Sequence, residues 1–276
     1  MNKVAKSIYY VLLTVGVAVS MFPLVWIFVF AFLPEDAVKK YPPKLIPDSL
    51  YIENFKYVFE RTNIVTGMAN SFIVVVGAVI LVLALGSIGA YGIAKSSEKV
   101  RTAAYIILLV TQMVPAVTNM IPIYSIMSVT GLLDTRFGLS LVYAAQQLPL
   151  SMLIMIGFFK QAVVEVEESA MIDGCNWWGV FARISLPMCK PGLVSAIIFT
   201  FALSWNEFMM TMLLTSSPGV KTFQVTLYDL LQTESQNRVR YNVLTAAALL
   251  GLFPILIVYG FFQKGFTEGL TAGSIK

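Results

Sequence analysis

Six stretches of this chain are apolar over more than 20 residues each: about Ser7 to Leu33, Val65 to Ala94, Thr102 to Met127, Gly138 to Phe159, Pro191 to Leu214 and Tyr241 to Gln263. A bilayer's hydrocarbon core takes roughly 20 helical residues to cross. Inside it, every backbone N–H and C=O must find a partner within the protein, which leaves helices as the solution for spans of this kind. Composition agrees, with 58% hydrophobic and 12% charged residues against roughly 25% charged in soluble domains. The chain therefore reads as an all-α membrane protein with six transmembrane helices.

Taken in order, the first span follows Lys3 and Lys6. It is too long for the apolar region of a signal peptide and has no small-residue cleavage site, so it reads as retained. Pro34 to about Asn63 reads as an extracytoplasmic loop with a short helix around Asn54 to Arg61. The second span holds Gly77, Gly86, Gly89 and Gly92, which let a neighbouring helix approach closely. Pro115 and Pro122 break the third span, which also carries Gln112, Thr118 and Asn119. The fourth contains Gln146, Gln147 and Pro149, the fifth Trp205, Asn206 and Glu207, and Pro254 kinks the sixth. Gly131 to Phe137 forms a short outer turn and Thr215 to Arg240 a second outer loop. Residues 1–64 thus make an N-terminal helix and loop, 65–263 the main transmembrane domain, and 264–276 a polar cytosolic tail.

Charge gives the orientation. With the N-terminus in the cytosol, ten Lys and Arg fall inside and nine outside, but eight of those nine belong to the two longer outer loops. Short loops near the span ends count most. Lys3 and Lys6, with the basic turn of Lys95, Lys99 and Arg101, therefore favour both termini inside.

The chemistry that is missing narrows the function. There is no His, and the two cysteines, Cys175 and Cys189, fall in the loop between the fourth and fifth spans. That excludes a His/Cys metal site and a Ser-His-Asp triad, and no disulfide is expected in a reducing compartment. No Gly-x-x-x-x-Gly-Lys-Ser/Thr phosphate loop occurs, so energy from ATP has to come from a partner. The net charge of +4 calls for no nucleic acid. Glu207, by contrast, is an ionisable residue within a span, which makes it a functional candidate. Trp205, Asn206 and Glu207, together with Asn119, Gln146 and Gln147, read as lining a translocation path, where an aromatic face beside polar groups suits a sugar. The alternative is that these groups join spans through interhelical hydrogen bonds.

Acidic charge gathers in one place, between the fourth and fifth spans. Ala162 to Asp173 is made of fair helix formers, with Ala162, Val166 and Ala170 giving a small-residue face opposite the carboxylates. Gly174 stops the helix as a left-handed cap. A second short amphipathic piece follows, with Trp177, Trp178 and Phe181 as aromatic anchors, and Pro187 and Pro191 close it. Glu165, Glu167, Glu168 and Asp173 suit Arg and Lys on a facing surface, although for each carboxylate alone a solvated face is the simpler reading.

Glu168-Ser169-Ala170, three residues, Gly174, nine residues, then Ile184-x-Leu186-Pro187 resembles the EAA loop of the permease subunits of bacterial ABC importers. Ser169 departs from the family's usual Ala but is also small. Gly269 to Lys276, Gly131 to Thr135 and Ser204 to Glu207 are similar to the maltose-transporter-like, carbohydrate branch. The resemblance implies a type I importer permease fold in which residues 162–187 hold a coupling helix, with Glu168, Ser169, Ala170, Asp173 and Gly174 coupling to the ATPase. It also implies a transport subunit rather than an enzyme, in the bacterial cytoplasmic membrane. Its partners would be a second, homologous permease, two ATP-binding subunits that hold ATP and Mg, an extracytoplasmic solute-binding protein and membrane lipid, with no cofactor in this chain. The tail, Leu270 to Lys276, would reach towards the ATPase interface. Other readings stay open: an ion-coupled secondary transporter, or an importer of a polyol or glycerol phosphate. A membrane enzyme is disfavoured by the absence of His and the scarcity of buried carboxylates.

Overall fold

The computed structural model describes residues 3–40, 49–161, 164–237 and 240–272, and among them there is no strand. In chain order the helices are α1 (Lys3–Ala31), α2 (Glu35–Val38), α3 (Glu53–Arg61), α4 (Ile64–Ala94), α5 (Glu98–Met113), α6 (Met120–Val129) and α7 (Arg136–Gln161). They continue as α8 (Val164–Ile172), α9 (Trp177–Val180), α10 (Leu186–Met188), α11 (Lys190–Trp205), α12 (Met209–Leu214), α13 (Phe223–Asn237) and α14 (Tyr241–Ala272). A 3-10 turn, Ala116–Asn119, precedes α6, and a π-helical turn, Phe181–Ser185, joins α9 to α10.

Among the described residues four helices are long and apolar enough to cross a membrane, Ala5–Ala31, Ile64–Ala94, Arg136–Gln161 and Tyr241–Gln263, and the number reaches six if each of two bent pairs is one span. The third span breaks where Pro115 removes a backbone donor, and Glu98–Met113 meets Ala116–Val129 at 88°. In the fifth, Trp177–Met188 meets Lys190–Trp205 at 73°. That helix ends at Trp205, and α12 resumes after three residues, where a span unbroken to Leu214 was expected. Two further differences concern polar segments: α13 fills most of the second outer loop, and α14 continues past Gln263 to Ala272.

The chain divides into two units, residues 1–66 with 226–253, and 67–225 with 254–276. In the first, the expected short helix is α3. Its Asn54 is buried and donates through Nδ2 to the Ala31 and Leu33 carbonyls at 2.9 and 2.8 Å, while Asn242 Nδ2 donates to Asn54 Oδ1 at 2.7 Å. These bonds satisfy the carbonyl of Ala31, the last residue of α1, and that of Leu33 just beyond it, where no further helical turn supplies a donor. The apolar window of α1 is otherwise unburied within the chain, and such a surface is stable only away from water.

In the second unit, α4 lies hard against α7. A β-carbon at Gly77 would come within 2.7 Å of Ser140 Oγ, and those at Gly86 and Gly89 within 3.0 Å of the Met155 and Met152 methyls. Gly92 faces open space. Val74, Ala78, Leu139, Tyr143 and Met210 form one core cluster, and Tyr91, Met155, Phe159, Phe181 and Ala196 a second.

The 215–222 segment is held to the N-terminal end of α7. Asp134, at φ 56°, accepts from the Ser216 and Ser217 amides at 3.0 Å each and from the Ser217 hydroxyl. Arg136 donates to Asn70 Oδ1 at 2.8 Å and the Gly219 carbonyl at 2.9 Å, and Asn70 Nδ2 donates to the Gly219 and Lys221 carbonyls. The Ser217 hydroxyl, more than the two amides, holds the Asp134 carboxyl below its ordinary value against a smaller opposing effect of burial. A lowered carboxylate pKa means the clamp is complete above about pH 4, the ordinary Asp value, and is lost as pH falls through the lowered one. Asp134→Ala is expected to speed hydrogen exchange at Ser216 and Ser217 about tenfold at neutral pH, the scale of a lost charge-assisted hydrogen bond, and to leave little further acid sensitivity there.

Candidate functional site

Two features of the second unit answer to the sequence. The first is the loop between α7 and α11. Helix α8 ends at Gly174, whose φ of +88° is the left-handed cap conformation. The Cys175 N–H reaches back to the Ala170 carbonyl at 2.9 Å and the Gly174 N–H to Met171 at 3.1 Å, the paired bonds of a Schellman cap. Asn176 then caps α9, its Oδ1 accepting from the Gly179 amide at 2.8 Å. The chain turns back on itself between two capped helices.

Glu168, Ser169, Asp173 and Gly174 are exposed, and Ala170 is half-buried. Ile172 at 86% and Trp178 at 58% exposure add apolar surface beside the acids. Three expectations need correcting. Phe181 is buried, its ring 5.1 Å from Tyr91, so it anchors the loop inwards rather than outwards. Val166 is exposed, so it is not part of an inward small-residue face, and Ala162 lies outside the described residues. Glu167 faces neither solvent nor a partner: it is 3% exposed, with Lys95 Nζ 2.5 Å from Oε2 and the Ser185 hydroxyl donating to Oε1 at 2.7 Å. The sequence reading missed Lys95 and Ser185. No local signal marks Glu167 among the neighbouring acids, because its partners Lys95 and Ser185 are remote in sequence.

The second feature is a cavity of about 990 Å³ that brings together Asn119, Gln146, Gln147 and Glu207, with Gln112, Thr111 and Thr130 also on its walls. Pro115, at the break of the third span, lines it too, with Pro122 from the first turn of α6 and Pro149 from within the continuous α7; Pro122 was expected to break the span and does not. Glu207 has a structural task as well. Its Oε1 accepts from the Met210 amide at 2.9 Å and Oε2 from Thr211 at 3.2 Å, which satisfies the first donors of α12 after the break.

Trp205 and Asn206 are not on the cavity wall. The Trp205 ring is 2% exposed, stacked on Phe201 at 5.7 Å and 9° and on Phe223 at 6.1 Å and 21°. Both faces are covered, so in this chain no face is left for a sugar, and the residue belongs to the core. Asn206 is exposed and folds back to the Ala202 carbonyl at 2.8 Å. No group of three or more His, Cys, Asp or Glu able to hold a metal occurs among the described residues.

Comparison with known proteins gives concordant results. Residues 83–271 match the family described as binding-protein-dependent transport system inner membrane component. The diacetylchitobiose uptake system permease protein DasC of Streptomyces coelicolor is 31% identical over 275 residues, covering 100% of this chain and 98% of that protein. The sulfoquinovosyl glycerol transport system permease protein SmoH of Agrobacterium fabrum is 28% identical, covering 98% and 94%. In structure, a chain of a bacterial ABC transporter involved in the import of the acidic polysaccharide alginate superposes with a TM-score of 0.82 at 24% identity, covering 96% of this chain and 97% of that one.

Proposed function

Because the chain belongs to the family of binding-protein-dependent transport system inner membrane components, we propose that it is one of two permease subunits in an ATP-driven importer of a carbohydrate. The observation that carries this reading is the capped loop between α7 and α11, which presents Glu168, Asp173, Ile172 and Trp178 together. Carboxylates fix the orientation of a docked cationic surface while an exposed aromatic and an aliphatic supply contact area. Two ATP-binding subunits, which hold the ATP and Mg, grip this coupling helix from the cytosol, where both termini also lie. An extracytoplasmic binding protein delivers the solute. The ATPase drives the change of state only to the extent that its ATP-closed form grips the loop better in one permease conformation than in the other.

For the cargo, support comes from the cavity and the relatives. Its volume of about 990 Å³ is at the top of the range for ligand pockets, and Gln and Asn amides on its wall offer both donors and acceptors to hydroxyl groups. DasC and SmoH are named for a disaccharide and a glycosyl glycerol.

The test is reconstitution with the neighbouring permease, ATPase and binding-protein subunits, followed by ATPase and uptake assays across a panel of sugars, polyols and glycerol phosphate. Stimulation by a sugar is expected, and Glu207→Gln should reduce uptake about tenfold, the scale of one lost charge-assisted hydrogen bond. A polyol or glycerol phosphate as sole stimulant would replace the cargo assignment. Uptake that persists without ATP in an ion gradient would make the chain a secondary transporter instead.

A further inference from the structure

On both sides of Glu167 the coupling helix is open to water, at Val166 and Glu168. The carboxylate itself is 3% exposed, and a buried charge persists only when it is paired and hydrogen-bonded. Both of its oxygens are occupied: Oε2 by Lys95 Nζ at 2.5 Å and Oε1 by the Ser185 hydroxyl at 2.7 Å. Neither is left for a docking partner, so the side chain serves the permease internally.

Its two partners come from separate elements. Lys95 directly follows α4, with its amide bonded to the Tyr91 carbonyl at 3.1 Å and its ammonium 5.8 Å above the Tyr91 ring. Ser185 ends the π-helical turn, a form of helix frequent at functional sites. The Tyr91 ring in turn contacts Trp177 at 5.3 Å and Phe181 at 5.1 Å. The end of α4 therefore holds both halves of the loop, α8 through charge and the α9 segment through aromatic rings. Along the chain those halves are joined by the short turn of residues 173–176, whose conformation is set at Gly174.

We propose that Lys95, Glu167 and Ser185 are positioning residues of the transport cycle, a link that makes the coupling helix and the cytosolic end of α4 move as one piece. The inference rests on the importer reading above and deepens it. When a partner displaces α8, separating the pair would strand a desolvated charge, so the displacement passes into α4. Without the link, α8 swings about Gly174 and the motion dissipates in the loop.

The experiment measures solute transported per ATP hydrolysed in the reconstituted transporter, for the wild type, Lys95→Met, Lys95→Arg and Ser185→Ala. Lys95→Met should lower that ratio about tenfold, within the range typical of coupling between two sites, while ATP hydrolysis and subunit association stay near the wild-type level. Lys95→Arg, which restores a cation, should recover most of it. A purely structural role would instead lower assembly, hydrolysis and uptake in parallel and leave the ratio unchanged, which would overturn the proposal. If Lys95→Met fails to assemble, Ser185→Ala decides. It removes one hydroxyl, and a ratio equal to wild type would likewise overturn the link, whereas a partial fall supports it. The two readings fail differently: a wild-type complex without solute-stimulated ATPase activity defeats the importer assignment, whereas normal stimulation with an unchanged ratio in the variants defeats the link alone.

Discussion

Trp205→Ala is expected to destabilise the second unit by about 3–5 kcal/mol, the usual cost of deleting a fully buried large aromatic. The ring is held between Phe201 and Phe223 and packs in a cluster with Val75, so its loss opens a hole beside α4 that these neighbours cannot fill without moving. Stacked ring pairs add about 0.5–1.5 kcal/mol each beyond area, and Trp205→Phe should therefore recover a large part of the loss. The measurement is the thermal unfolding midpoint of the detergent-solubilised protein, alongside substrate affinity in the assembled transporter. An unchanged midpoint with weakened affinity would return the ring to the substrate path.

Gly174→Val should reduce uptake by tenfold or more. At φ +88°, a β-branched residue is a true outlier, with a left-handed penalty of about 1–2 kcal/mol before side-chain crowding is counted. The chain can relieve it only by giving up the Cys175 and Gly174 bonds to Ala170 and Met171, which rotates α9 and Trp178 away from Glu168 and Asp173. Gly174→Asn, which tolerates the left-handed region, should keep most of the activity. Uptake in reconstituted vesicles checks both variants, and a fully active Gly174→Val would show that the turn does not set the docking geometry.

The spans were legible because hydropathy over twenty residues is a strong signal, and the bend in the third was legible because proline marks it. The break after Trp205 was not. Asn206 and Glu207 look like polar residues within a helix, and nothing local says that the Glu207 carboxylate turns back to cap the next segment. The same proximity misled the reading of Trp205: adjacent residues on a helix point about 100° apart, so a polar neighbour says little about where the indole faces. The capped turn between α8 and α9 was readable from Gly174. The inward turn of Glu167 was not, since three acids in four positions look alike until Lys95, remote in sequence, is placed beside one of them. Helix α13 was missed because its mixed composition resembles a loop.

The helices differ greatly in length. Helix α4 has 31 residues and α11 only 16, or ~46 Å and ~24 Å at 1.5 Å per residue, against a hydrocarbon thickness of ~30 Å. No single tilt suits both: the longer one must lean or project beyond the lipid, while α11 makes up a full span only together with α12, across the break at residues 206–208. The Glu207 turn therefore lies within the run of the fifth span rather than beyond its end, and the backbone donors freed there must be met by protein groups, as the Glu207 carboxylate does for Met210 and Thr211.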